Sequence, residues 1–201
     1  RALAELPEDS PEMEELMKFL IEKNVAVTST LPVFEPYTGR EVVLGGGLDA
    51  MSEEIRASLV QSHTRRQGRD SASFVNFKKQ MAWEKKFYEM GGQLLSGTDP
   101  TGAGRTIAGY GNMRQVELLV EAGFTVSEAI KISSLNGAEY LERADKVGSI
   151  VIGKQADLVL IDGDLEADVS NIRKIETVFK DGIGFDSKKI FESMKGKVGM
   201  H

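Results

Sequence analysis

The sequence predicts an α/β protein, and three observations carry that prediction. An amphipathic segment at residues 10–24 runs straight into the β-branched stretch 25–31, which is half of a βαβ rhythm. The short apolar run at 93–97 ends in Ser-Gly-Thr and then a carboxylate, Asp99. After Arg143 the helical pattern gives way to short strand-like runs with glycine and Asp-Gly turns.

The elements follow in order. Ser10 is a good N-cap, Pro11 fits the first helical position, and acidic residues fill the first turn. Leu16, Phe19 and Leu20 give that helix one apolar stripe before Lys23 and Asn24 stop it. Residues 25–31 read as a strand, and 32–48 as an irregular loop carrying Pro32, Pro36, Gly39 and three successive glycines. Capping logic starts a helix at Ser52. A longer helix over 71–90 spreads Phe74, Phe77, Met81, Trp83, Phe87 and Tyr88 around a broad apolar face, and Gly91 and Gly92 end it. Aromatics at that spacing belong to a core, not to a ligand box.

A strand at 93–97 and a glycine-rich segment at 101–111 lead into an amphipathic helix at 112–122, stopped by Gly123. Thr125 and Glu128 have capping-box spacing for the next helix, and a short third one covers 137–141. Strands are then predicted at 148–153, 156–161 and 173–180, with a turn at Asp181-Gly182 and one or two helical turns over 187–193. Residues 147–162 read as a hairpin-like unit, with Asp157 bonding backbone amides in its turn. The change of character sets the β-rich end after Arg143 apart from the helix–strand alternation before it.

Composition sets limits. The 201 residues are 41% hydrophobic, enough for a real core, and the net charge of −6 has no dominant basic face. A nucleic-acid partner is therefore not expected, and the cluster His63, Arg65, Arg66 and Arg69 reads as a solvated helix face. Without cysteine, disulfides and thiolate-bound zinc are excluded. No apolar run approaches the roughly 20 residues of a membrane span, so no membrane partner is expected. The start, RALAELPEDSPEMEEL, has no apolar signal core and no initiating Met. It reads as the middle of a longer protein. The compartment defaults to the cytoplasm, and periplasmic or secreted placement follows if a signal peptide preceded Arg1.

Candidate functional residues are few. Taken locally, Asp99 is either a turn residue, as Gly-Thr-Asp-Pro sequences favour, or a carboxylate at the C-terminal mouth of a barrel strand. Its place after a short strand and before a glycine-rich segment favours the second. The Gly102-Ala-Gly104 pattern lacks the Lys-Ser/Thr of a phosphate loop. It suits a mobile active-site loop instead, with Arg105 and Tyr110 as substrate contacts; a solvated turn explains Arg105 equally well. His63 and His201 are the only histidines. Neither has a partner for a triad, and together they cannot build a multi-histidine metal centre.

Three segments in order resemble the C-terminal part of metal-dependent amidohydrolases, in the imidazolonepropionase-like branch that includes Xaa-Pro dipeptidases. They are SGTD at 96–99, VELLVEAGFTVSEAIKISSLNGAEYL at 116–141 and KVGSIVIGKQADLVLIDGD at 146–164. The resemblance implies the C-terminal portion of a (β/α)8 TIM barrel over 1–145, plus C-terminal strands of a small β-sandwich over 146–201. In that frame 25–31 is strand seven and 93–97 strand eight, while 150–161 and 175–179 belong to the sandwich.

Asp99 maps onto the acid that ends strand eight, a metal ligand and proton shuttle. The implied cofactor is one or two divalent ions, zinc by preference, which lower the pKa of a bound water. Asp99 would take that water's proton and hand it to the leaving amine. The family's other ligands, a His-x-His after strand one, a bridging Lys or Glu on strand four and histidines after strands five and six, have no counterpart here. A complete barrel takes about 250 residues.

The chain is therefore expected to be a piece whose partner is the missing N-terminal half of the barrel, and to be inactive alone; a homo-oligomer stays open. The expected activity is hydrolysis of amide or peptide bonds in dipeptides or small molecules. The rivals are a non-catalytic scaffold that has lost its metal site and an imidazolonepropionase or deaminase acting on cyclic C–N bonds.

Overall fold

Two short runs of mixed β-branched and leucine residues lie side by side as the first sheet. In the computed structural model, which describes residues 5–40, 47–68, 71–100, 106–107 and 109–199, β1 (Val27–Ser29) pairs in parallel with β2 (Leu94–Ser96). Between them run α2 (Leu31–Phe34), α3 (Glu53–Arg66) and the long α4 (Ser71–Glu89). A parallel pair needs such a crossover, because two strands pointing the same way cannot be joined by a tight turn. The helix α1 (Pro11–Glu22) precedes β1, capped by the Ser10 hydroxyl, which accepts from the Met13 amide at 3.2 Å.

After β2 come α5 (Tyr110–Glu121), α6 (Val126–Ile132) and α7 (Leu135–Tyr140). Thr125 and Glu128 form the complete capping box their spacing predicts. The helices stop as their sequences indicate. At the end of α5 the amides of Gly123 and Phe124 donate to the carbonyls of Val120 and Leu119. Gly123 has φ +98°, which closes the Schellman turn.

The last third forms an antiparallel sheet of β3 (Leu158–Ile161), β4 (Ile175–Lys180) and β5 (Ile183–Asp186), in that order, followed by α8 (Ser187–Met194). The two-residue turn Asp181-Gly182 has positive φ at both positions, 54° and 81°, the type I′ geometry that Asp-Gly favours. Asp157 accepts from the Asp181 amide at 2.8 Å and from Lys180 Nζ at 2.6 Å, so it supports this turn.

Three expectations need correction. Residues 148–153 form no strand, and the hairpin-like unit at 147–162 is absent: Ile150 and Ile152 are 88% and 104% exposed, and no described strand lies beside them to complete a ladder. The described parts of the 32–48 segment are more ordered than its prolines suggest, since Leu31–Phe34 is helical and Glu35–Tyr37 and Gly47–Ala50 are 3-10 turns; residues 41–46 lie outside the described residues. Pro32 sits in the first turn of α2, where its missing N–H costs nothing. Ser52 does precede α3, but its side chain makes no capping bond.

The main core gathers Leu31, Phe77, Met81, Leu94, Val116, Leu118, Leu119, Phe124 and Ile132 around the outer face of β1 and β2. A charged seam ties the rest to it. Glu35, only 1% exposed, pairs with Arg40 and Arg114. Arg114 also reaches Glu117 at 2.6 Å, and Glu117 pairs with Arg173 on the 3-10 turn before β4. The last link fastens the antiparallel sheet to α5.

Candidate active site

The two parallel strands end on the same edge, and Asp99 lies just past the end of β2. The ladder runs one rung further there, because the Gly97 amide donates to the Ser29 carbonyl at 2.8 Å. Period-two alternation splits the pair into two faces. Ser29 and Leu94 face the helices and are fully buried. Thr28 lies on the opposite face, which it shares with the buried Leu95, and is exposed. Gly97 belongs there too: a Cβ on it would stand 2.8 Å from Thr28 Cγ2 and 3.5 Å from Thr30 Cγ2. Asp99 is exposed at the end of this face, with φ +43°. A left-handed aspartate is tolerated because its short polar side chain bonds locally, yet the conformation is uncommon and turns the carboxylate out of the strand direction.

The backbone beneath Asp99 is held from the helix side. Asn136 of α7 donates to the Leu94 carbonyl at 2.8 Å from a buried position. Ser29 is the centre of a buried polar relay. Its hydroxyl donates to Glu84 Oε2 at 2.6 Å and accepts from Gln115 Nε2 at 2.7 Å, and Gln80 Nε2 donates to Glu84 Oε1 at 2.9 Å. Burial pushes the Glu84 carboxyl up from its usual range, and the bonds from Ser29 and Gln80 offset this only in part. The relay locks β1 to both α4 and α5.

Tyr110 opens α5 and is half-buried. Its ring stands 5.5 Å from that of Phe191 at 37°, and burial together with the negative charge of Asp49 raises its phenol pKa. The next residue, Gly111, approaches the Asp99 segment: a Cβ there would stand 2.7 Å from Thr106 Cγ2 and 3.5 Å from Thr98 Cβ. Asp99 and Tyr110 are thus each one residue away from the same close packing. Arg105 lies outside the described residues. Among the described residues no three His, Cys, Asp or Glu side chains converge as a metal site, and no helix is long and apolar enough to cross a membrane.

A separate cleft of about 1230 Å³ opens between α5–α7 and the antiparallel sheet with α8. Met113, Val116, Ile161, Ile175, Phe191 and Met194 line it, and Asp99 does not. Sequence reasoning missed the Ser29–Glu84–Gln115 relay and Asn136. The visible traces were faint: a lone serine within a strand of larger residues, and Gln80 four residues before Glu84 on one helix face.

The sequence profile of the amidohydrolase family matches residues 76–184, a span that includes Asp99. An imidazolonepropionase of Bacteroides fragilis is 55% identical over 40 residues, 20% of this chain and 10% of that protein. A 5'-deoxyadenosine deaminase of Methanobrevibacter smithii is 42% identical over 50 residues, 25% of this chain and 12% of that protein. Among solved structures, a Xaa-Pro dipeptidase with methionine bound in its active site superposes with a TM-score of 0.56 and 22% identity. That match takes in 86% of this chain and 37% of the dipeptidase. The chain therefore spans little more than a third of a solved structure with the same kind of fold, and its matched segments about a tenth of these curated relatives.

Proposed function

This chain belongs to the amidohydrolase family, and from that premise we propose that it carries the last part of the active centre of a metal-dependent hydrolase. The bond cleaved is an amide, in dipeptides with a C-terminal proline or in N-acyl amino acids. One observation supports this above the others: Asp99 stands immediately beyond β2, on the edge where both parallel strands end. In (β/α)8 enzymes that edge is where catalytic groups gather. On this reading residues 1–145 are the C-terminal portion of such a barrel and 146–201 the C-terminal strands of a small β-sandwich. The parallel pairing of β1 with β2 across the α3–α4 crossover fits two successive barrel strands.

The donor chemistry fits a divalent ion in part. Asp99 offers an exposed carboxylate, an oxygen donor of the kind zinc accepts. It would be one ligand, and the remaining ligands would come from the part of the enzyme not contained here. Such an ion, zinc by preference, supplies Lewis-acid activation of water and of the scissile carbonyl.

The chain's own contribution is proton transfer and position. The Asp99 carboxylate takes a proton from the attacking water as the C–O bond forms, and returns it to the amine nitrogen as the C–N bond breaks. Gly97 keeps the inner face low beside it, so that a substrate can lie against Thr28 and Thr30. Arg105 and Tyr110 would be substrate contacts from the segment that follows.

A second reading has its own support. The curated relatives matched in sequence are an imidazolonepropionase and a deaminase, which favours a cyclic C–N substrate. One assay separates the two. Full-length enzyme is given Xaa-Pro dipeptides, N-acyl amino acids and a cyclic amide, before and after chelation and return of zinc. Dipeptide or N-acyl turnover that chelation abolishes and zinc restores is expected. Turnover of the cyclic amide alone selects the second reading, and hydrolysis indifferent to the chelator removes the metal from either.

A further inference from the structure

The polypeptide after α8 does not trail away. It folds back along residues 49–52 and adds one strand-like rung. The Gly196 amide donates to the Asp49 carbonyl at 2.9 Å, the Val198 amide to the Ala50 carbonyl at 2.8 Å, and the Ser52 amide to the Val198 carbonyl at 2.9 Å. Val198 and Met51 are paired as a parallel bridge.

This rung closes a second, small apolar cluster, which shares Tyr110 with the main core. Met51, Leu59 and Ile107 are its buried members, with Leu48, Ile55, Tyr110 and Val198 packed around them. Phe191 of α8 stacks on the Tyr110 ring. Gly47 presses on the same ring: a Cβ there would come within 2.9 Å of Tyr110 Cγ and 2.8 Å of Ile107 Cδ1. Tyr110 therefore packs between the 47–52 segment, which the C-terminal residues bond, and α8, as well as against the main core.

Tyr110 is followed by Gly111, which packs on Thr98 next to Asp99. We propose that residues 187–199 form a strap whose positioning residues, Phe191 and Val198, fix Tyr110 and through it the segment that carries Asp99. The functional half of this proposal rests on the reading of Asp99 as the catalytic acid. The physical half does not. A cluster of three buried side chains, held by a few backbone bonds near the surface, opens at lower free energy than the main core. The strap can therefore loosen without unfolding the rest.

The test uses full-length protein carrying Val198→Asp, with Val198→Ile as the conservative control and Phe191→Leu as an independent second variant. Amide hydrogen exchange is followed at residues 49–52 and 107–111. Val198→Asp and Phe191→Leu are expected to speed exchange at 107–111, while Val198→Ile retains wild-type protection. In the amidase assay the same two variants should raise KM and lower kcat, each by about tenfold, since the strap aligns both the binding group Tyr110 and the proton-transfer group Asp99, whereas a mere loss of folded protein would leave KM unchanged. Unchanged exchange at 107–111, with faster exchange confined to 49–52, would overturn the proposal. If wild-type protein hydrolyses no amide, the reading of Asp99 falls, and the exchange measurement still decides the strap.

Discussion

Gly92 shows how little freedom single positions have beneath Asp99. A Cβ at Gly92 would stand 2.4 Å from the Phe87 ring, and Phe87 is buried in the cluster that joins α1 to α4. Gly92→Ala must push that ring aside, at a cost of about 1–3 kcal/mol for overpacking. Urea unfolding should show the loss, and an unchanged midpoint would mean that the ring has room to move. Asp99 itself is a different kind of special residue. Its φ is +43°, and Asn24, Glu142 and Asp181 also have positive φ, at 52°, 53° and 54°. Asn24 and Glu142 close helix ends and Asp181 sits in a hairpin turn. Asp99 closes no helix and turns no hairpin; its positive φ falls just past the end of β2.

Among the elements, β1 is short enough that its side-chain bonds matter as much as its ladder. Ser29→Ala deletes a hydroxyl that donates to Glu84 and accepts from Gln115, leaving both buried partners short. Desolvated polar groups left unmade cost about 1–3 kcal/mol each. The variant should therefore lose roughly 2–6 kcal/mol in denaturant unfolding, and a loss under about 1 kcal/mol would show the relay to be dispensable. Elements were legible in the sequence where local chemistry decides them: the Ser10 cap, the Thr125–Glu128 box, the Gly123 stop and the Asp181-Gly182 turn. Ile150, Val151 and Ile152 show the opposite case. Their β-branched side chains favour a strand, but a strand exists only beside a partner, and local sequence does not reveal whether one is present.

Across the whole molecule, carboxylates packed between elements contribute to the response to pH. Burial works against ionisation of Glu121, but bonds from Arg40 and Lys78 outweigh it and hold the carboxyl at about 2. Its folded pKa lies below the unfolded value, so its stabilisation is complete above the usual carboxylate range and is lost as pH falls toward 2. Glu84 acts with the opposite sign. Its folded pKa is raised above the usual 4.5. Its contribution is complete below that range and is lost as pH rises through the folded value. Glu84→Gln should therefore gain Tm relative to wild type as pH rises from about 4.5 to 7, by about 2–4 °C for each 1 kcal/mol. A Tm difference constant across that range would refute the buried titration.

Of the candidate site, the sequence offers Asp99 after a short strand and Tyr110 at the start of a helix, and the structure describes both there. A strand followed by a carboxylate is a local pattern, whereas the groups that hold the two strands come from residues 84 and 115, which bond Ser29 of β1, and from residue 136, which bonds Leu94 of β2. Their meeting is a product of the fold.

The central claim is that Asp99 transfers the proton in amide hydrolysis. Its most direct test is the activity of Asp99→Asn in the full-length enzyme, with unfolding midpoint and bound metal measured on the same sample. The amide side chain cannot take up a proton, so kcat should fall by about 10²–10⁴-fold while the fold is retained. An Asp99→Asn enzyme that keeps its full kcat would contradict the assignment.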